Sequence, residues 1–283
     1  MMRWLTVLLA FMLPAVGATE NPYDDVEIQR KHLSGSVHML TGAGGNIGVS
    51  AGEDGVLIID DQFAPLAEKI AASVAEIGNS EVRYIVNTHY HGDHTGSNAW
   101  FAEHHHATVF AHHNVRVRLS DKAETQPASL PVVTYDEGVK FHFNGDTIHV
   151  MHLPSGHTDG DSVIWFENAN VLHPGDLFFE GRFPYIDLNG GGNVAGYIAN
   201  VETLIDRVDA DTQIIPGHGK LANKADYQRF LNMIKTTYAY VQSLKKQGLS
   251  LEQAIETGLQ EQWQPWSWRF IDEKKWIETL YQG

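Results

Sequence analysis

His89, His91, Asp93 and His94 fall within six residues, in Thr88-His-Tyr-His-Gly-Asp-His-Thr95, directly after the apolar run Val82 to Val86. Neutral imidazole and carboxylate are the ligands that zinc, iron and manganese share, so the run speaks for a metal before it names one. If residues 83 to 87 form a buried strand, alternation sends His89 and His91 to one side of its end. Asp93 and His94 then turn to the other. That arrangement suits two ions close together.

Three later segments carry what the first loop lacks. Pro154-Ser-Gly-His-Thr-Asp-Gly160, Pro174-Gly-Asp176 and Pro216-Gly-His-Gly219 each place a single His or Asp just past the end of an apolar, strand-like run, beside glycine. Glycine lets a backbone turn sharply and come close to an ion. Together, His89, His91 and His157 can hold one ion, Asp93, His94 and His218 a second, and Asp176 can bridge them.

In this ordered set the sequence resembles the metallo-beta-lactamase superfamily over about Val37 to Lys220, within the branch that carries an aspartate bridge, as in glyoxalase II-like hydrolases. An isolated His-x-His is weak evidence, but seven ligand positions in order are specific. The resemblance implies an α/β fold, a four-layer αββα sandwich, with a dinuclear site in the cleft at one edge of the paired sheets. It further implies two zinc ions, with iron or manganese as substitutes, and acyl-bond hydrolysis by attack of metal-bound hydroxide, since zinc lowers the pKa of bound water to about 7. Asp93 is the residue expected to orient that nucleophile and handle its proton. Asp60, ending the strand-like run from Gly55, resembles the superfamily's carboxylate that fixes a ligand histidine from outside the coordination sphere.

The elements that must position these residues can be read from periodicity. Val37 to Leu40, Asn46 to Ser50 and Gly55 to Asp60 read as an antiparallel meander with Gly-rich turns. Leu66, Ile70, Val74 and Ile77 recur at helical spacing after Pro65, and a second helix is expected over about Thr95 to His105. Asp121 to Val133 reads as a long connection without periodicity. Strands are predicted at Gly138 to Phe143, Thr147 to Leu153, Ser162 to Phe166, Val171 to His173 and Gln213 to Ile215, with a helical stripe from Val194 to Val208. Lys224 to Lys246 and Leu251 to Leu259 read as helices of a C-terminal extension, residues 223–283, within one catalytic domain spanning 19–283.

Composition bounds the setting. Met1-Met-Arg3, the apolar stretch Trp4 to Val16 and the small residues to Ala18 read as a signal peptide over 1–18, implying a periplasmic or secreted protein with no stable membrane association after its removal. There is no cysteine, which excludes disulfides and zinc-thiolate ligation. The formal charge of −15 disfavours nucleic acid and anionic membranes and leaves a small-molecule substrate as the expected partner; it does not give the oligomeric state.

Not every one of the sixteen histidines belongs to the site. His104, His105 and His106 cannot share one helical face, and His112, His113, His149, His152 and His173 read as structural. Thr158, Asp159 and Asp161 read equally as site supports or as turn residues around Gly160. The segment after Asp176 is where the superfamily builds its substrate pocket, and Arg182, Tyr185 and Asn193 are the residues expected to bind substrate there, although the place of Asn193 before a predicted helix slightly favours a role as its N-cap. Trp263, Trp266 and Trp268 read as packing of the tail.

The leading expectation is therefore a secreted dinuclear zinc hydrolase acting on an ester, thioester or cyclic amide, including weak beta-lactamase activity. The basic residue that grips a beta-lactam carboxylate in the cysteine-bearing lactamases is replaced here by Phe179, with Arg182 as a substitute, and the basic pattern of glyoxalase II is incomplete. The alternatives are an iron-dependent redox enzyme of the same fold, similar to sulfur dioxygenases, and a non-catalytic metal-binding protein.

Overall fold

The computed structural model describes residues 21–78, 81–122 and 126–283; the signal segment expected over 1–18 lies outside the described residues. The chain begins with the meander β1 (Gln29–Ser34), β2 (Val37–Thr41), β3 (Ile47–Gly52) and β4 (Gly55–Ile59), all antiparallel. Helix α1 (Ala67–Ala75) follows a 3-10 turn containing Pro65. It carries the chain back so that β5 (Val82–Val86) adds to β4 in parallel, as such crossovers require. After α2 (Gly92–Thr95) and α3 (Asn98–His104), β6 (Thr108–His112) joins in parallel, and after α4 (His113–Ser120) β7 (Val133–Tyr135) completes a seven-stranded sheet.

The second sheet is β8 (Gly138–Phe143), β9 (Asp146–His152), β10 (Ser162–Phe166) and β11 (Val171–His173), antiparallel throughout. Helix α5 (Val194–Arg207) then leads to the short β12 (Gln213–Ile214), which pairs with β11 in parallel. Helices α6 (Lys224–Lys246), α7 (Leu251–Thr257) and α8 (Glu273–Gln282) end the chain.

Strand alternation explains the layers. All five residues of β4 are buried, but Leu57 and Ile59 pack toward the second sheet, with Val150, Ile164 and Phe166. Val56 and Ile58 pack the other way, with Leu66, Ile70 and Val74 of the first helical layer. In the second sheet Ile164, Phe166 and Val171 face inward, while Val163 and Leu172 meet α5 and α6 through Val201, Leu204 and Phe230. A strand apolar on both faces needs cover on both, so the two sheets stack with helices outside them as an αββα sandwich.

The C-terminal helices share that outer core. Trp276 of α8 is fully buried and its indole N–H donates to Thr237 Oγ1 of α6 at 3.1 Å. The N-termini of α6, α7 and α8 are capped by the side chains of Asn223, Ser250 and Asp272.

Local differences from the sequence expectations have physical causes. The helix expected over Thr95 to His105 is two pieces, because Gly96 donates its N–H to Gln62 O and its Cα lies against the backbone of residues 62 and 64, turning the chain there. Helix α4 was not anticipated: its register mixes Val and Arg without an apolar stripe, and it begins where His112 accepts the Asn114 N–H as N-cap. β1 is a largely exposed edge strand, which gives no apolar alternation to read.

Candidate metal centre

Each site residue sits at the C-terminal end of a strand or one short turn beyond it. His89 follows β5 and His94 lies in α2, the single turn after it; His157 follows β9, Asp176 lies in a 3-10 turn after β11, and His218 follows β12. The two sheets bring these ends to one edge. Two groups result, His89, His91, His157 and Asp176 in one and Asp93, His94 and His218 in the other, each with ligand atoms within 4.8 Å of one another.

Asp176 stands between them. Its Oδ2 lies 3.4 Å from His157 Nε2 and 3.8 Å from His89 Nε2, while its Oδ1 lies 3.2 Å from His94 Nε2 and 3.4 Å from His218 Nε2. Asp93 Oδ2 completes the second group, 3.4 Å from His218 Nε2 and 3.7 Å from His94 Nε2. His89 Nε2 and Asp176 Oδ1 are fully buried yet have no hydrogen-bond partner. A buried polar atom without a partner is costly, and here the unpartnered atoms face the space between the groups, where a divalent cation would satisfy them.

The opposite nitrogen of four imidazoles is already engaged, and this fixes which lone pair points inward. His94 Nδ1 lies 2.7 Å from Asp60 Oδ2, His157 Nδ1 donates to Tyr185 O at 2.8 Å, His89 Nδ1 reaches Thr88 Oγ1 at 3.0 Å, and His91 Nε2 lies 3.0 Å from Asp187 Oδ2. His91 therefore presents Nδ1 to the site and the other three present Nε2, the arrangement in which outer partners orient metal-binding histidines. Asp60 is a hub, accepting also the Thr88 N–H and hydroxyl at 2.7 Å each.

Electrostatics agree with a cation site. Burial holds His89 well below the ordinary histidine range and pushes His157 down to about 3, so both remain neutral. Burial works against the charge on Asp176, yet the surrounding imidazoles of His218, His94, His89 and His157 hold its carboxyl well below the usual range. Burial equally disfavours charge on His94, but Asp176, Asp93 and Asp60 raise it well above its usual value, so the field at that point favours positive charge. Imidazoles and ionised carboxylates are the donor set of zinc and similar ions, a cation there would supply the positive charge that the carboxylates otherwise draw onto His94, and the residues present fit such a centre.

Two glycines permit the approach of the backbone. A Cβ on Gly45 would lie 2.2 Å from His94 Cε1, and one on Gly217 2.1 Å from Asp176 Oδ1.

Residues 40–218 match the Metallo-beta-lactamase superfamily. The chain belongs to this superfamily. Within it, the chain is 31% identical over 182 residues to an uncharacterised protein of Aquifex aeolicus, covering 61% of this chain and 83% of that one. It is 29% identical over 181 residues to the beta-lactamase-like protein 2 homologue of Caenorhabditis elegans, covering 59% of this chain and about half, 53%, of the relative. A hydroxyacylglutathione hydrolase of Nitrosococcus oceani is 26% identical over 164 residues, 58% of each chain. Among solved structures, the metallo-beta-lactamase from Pontibacter korlensis superposes with a TM-score of 0.64 at 16% identity, covering 74% of this chain and 99% of that one, and shares the sandwich. Superfamily members are mostly metal-dependent hydrolases, and the His and Asp cluster of this chain is a candidate metal-binding site.

The residues expected to bind substrate separate in the fold. Arg182 and Tyr185 line a cleft of about 760 Å³ over the metal groups. Asn193 does not line it: its Oδ1 accepts the Gly196 N–H at 2.8 Å and caps α5, so its side chain is spent on the helix. Trp263 and Trp266 are buried among the C-terminal helices as expected of packing residues, but Trp268 lines the cleft. Of the turn residues after His157, Asp161 accepts the His157 and Thr158 N–H groups and the Thr158 hydroxyl, holding the ligand loop, while Asp159 pairs with Arg118 at 2.6 Å. His112 and His152 stack on one another with centroids 3.7 Å apart, and His173 Nε2 bonds Asn46 O at 3.1 Å, so these rings are structural.

Sequence reasoning missed Asp187, Tyr90 and Thr88. The Tyr90 hydroxyl donates to the same Asp187 oxygen that meets His91, and this carboxylate is held below its usual range, against the cost of burial, by those two partners. Only its nearness to the Gly190 turn marked Asp187 in the sequence, and that signal equally describes an ordinary loop.

Proposed function

We propose that this protein is a secreted dinuclear zinc hydrolase that cleaves an acyl bond in an ester, thioester or cyclic amide. The observation that carries the reading is Asp176, whose two oxygens divide between two groups of inward-facing ligands, with His89 Nε2 and Asp176 Oδ1 buried and unpartnered. Two zinc ions bound there would lower the pKa of water toward 7 and polarise an acyl carbonyl. Among the described residues lining the cleft there is no serine or cysteine, in keeping with direct attack by water.

The protein's own groups do the positioning. Asp93, partly exposed at the cleft edge, holds the proton released by the attacking water and passes it to the leaving group, so one water is consumed and a carboxylic acid and an alcohol, thiol or amine are formed. Arg182, the cation lining the cleft, is placed to meet negative charge on the substrate. The names of relatives, hydroxyacylglutathione hydrolase and metallo-beta-lactamase, support acyl hydrolysis as the class. Secretion rests on the charged, apolar and small-residue pattern of residues 1 to 18.

The test is turnover of nitrocefin, aryl esters and thioesters by zinc-loaded protein, with and without chelator. Chelator-sensitive hydrolysis of at least one class is expected. Failure to turn over any acyl substrate at a metal content of two ions per chain would remove the hydrolase reading, and stoichiometric iron with oxygen consumption in protein isolated without added zinc would replace it.

A further inference from the structure

The cleft has an aromatic wall that the metal chemistry does not require. Every proposed ligand comes from residues 89 to 218, whereas Trp268 and Phe270 reach the cleft from the C-terminal segment between α7 and α8. That segment is fastened to the loop after Asp176: Phe183 N–H donates to Trp266 O at 2.8 Å, and the Trp268 indole N–H donates to Phe183 O at 2.9 Å. The ring contacts run outward from the ligands. Phe179 stacks on His218 at 4.9 Å, Trp268 lies 6.2 Å from Phe179, Phe270 lies 5.7 Å from Trp268, and Tyr185 meets Phe270 edge-on at 5.4 Å before returning to His91 at 5.5 Å.

Phe270 decides the reading. Among the described residues it is the one aromatic in the set of strongly exposed large hydrophobics, half exposed at 50%, and it stands at the mouth of the cleft rather than on open surface. A core role would bury it. Arg182 lies 5.0 Å from the Trp268 ring centre, so the indole is held in place by a cation on the ring and a hydrogen bond at its edge. Lys275 Nζ lies 5.4 Å from the Phe270 ring centre, so each of the two rings is steadied by a cation, and aromatic rings that line a cleft beside a reactive centre with Phe270 half exposed can receive a flat apolar group by offset or edge-to-face packing.

We propose that Trp268 and Phe270 are specificity-determining residues, and that the substrates are acyl compounds carrying a planar aromatic group next to the scissile bond. The inference rests on the hydrolase reading for its chemistry, but the wall can be tested apart from it. Binding of 1-naphthylacetate to the zinc-loaded full chain, followed by tryptophan fluorescence and by calorimetry, is expected to weaken five-fold or more in Phe270→Ala, a change at a half-exposed ring that leaves the core untouched. Trp268→Phe should retain most of the binding, and Trp268→Ala should lose it.

For turnover, S-phenylacetyl and S-acetyl thioesters of N-acetylcysteamine vary the acyl side, and benzyl acetate against ethyl acetate, whose leaving alcohols are of similar acidity, varies the leaving side. The aromatic member of one pair should be favoured at least ten-fold in kcat/KM, and Phe270→Ala should collapse that ratio; the pair that responds gives the side on which the ring sits. Naphthylacetate affinity unchanged in Phe270→Ala and Trp268→Ala, or equal turnover within both pairs, would overturn the wall while leaving the hydrolase intact. Ring-dependent binding with no turnover of any substrate would uphold the wall and remove the hydrolase.

Discussion

Asp187 is the residue whose role is easiest to separate from direct ligation. It touches His91 at Nε2, away from the cleft-facing Nδ1, and shares that oxygen with the Tyr90 hydroxyl. Outer partners of this kind commonly change metal affinity by about 10–100-fold. Asp187→Ala is accordingly expected to lower zinc affinity by that order, read by competition with a chromophoric chelator, with the far-ultraviolet circular dichroism unchanged. A second expectation concerns Asp61, which is fully buried with Oδ1 accepting the Ser97 N–H at 2.9 Å and Oδ2 unpartnered. Burial raises its pKa well above the ordinary carboxylate value, so the folded protein keeps a proton that the unfolded chain loses. Its contribution to stability is therefore present below the unfolded pKa and is lost as pH rises toward the folded one, by up to about 1.4 kcal/mol per pH unit. Asp61→Asn should flatten that slope above the ordinary carboxylate pKa in urea denaturation; an unchanged slope would show that Asp61 is ionised in the fold.

At the scale of the element, strand ends and glycine turns set the ligand geometry. Gly45 lies in the β2–β3 connection, which has no metal ligand of its own, yet its Cα approaches His94 so closely that a methyl group cannot be added without moving the ring. If two zinc ions bind as proposed, Gly45→Ala is expected to displace His94 and empty the second group first, lowering bound zinc from two toward one per chain by elemental analysis, at a stability cost of about 1–3 kcal/mol. Helix α8 supplies the complementary case. Trp276 fills the outer core and donates to Thr237, so Trp276→Ala should cost about 3–5 kcal/mol in chemical denaturation and loosen the segment that carries Trp268 and Phe270. Weaker naphthylacetate binding in that variant, with zinc content retained, is the expected accompaniment.

For the whole molecule, the metal groups tie both sheets together, since His89, His91, Asp93 and His94 follow a strand of the first and His157, Asp176 and His218 follow strands of the second. Ions that bind only the folded chain stabilise it by mass action, about 2.7 kcal/mol at a hundred-fold excess over the dissociation constant. Chelation should lower Tm, and added zinc should restore it. Because α6, α7 and α8 share one apolar cluster with α5 and the second sheet, melting is expected as a single transition, and a chain ending at residue 222 should aggregate when that face is exposed. Two resolved transitions in calorimetry of the full chain would show that the C-terminal helices unfold on their own.

The order of the candidate ligands and most strands were legible along the chain, because apolar runs such as Val82 to Val86 and the local His-x-His-x-Asp-His spacing depend only on neighbouring residues, whereas the αββα sandwich followed from the family resemblance. The sequence also specified the cap at Asn193 as one of two readings, and the fold made it the cap. Contacts between distant segments had to await the folded chain: Asp187 reaching His91 across 96 positions, Trp268 entering the cleft instead of the core, and Gly45 making room for His94. Such contacts leave no periodic trace, since Asp187, Trp268 and Gly45 each lie between regular elements, where the local composition suits a turn equally well. The substrate wall belongs to that second class, which is why the metal motif was silent about it.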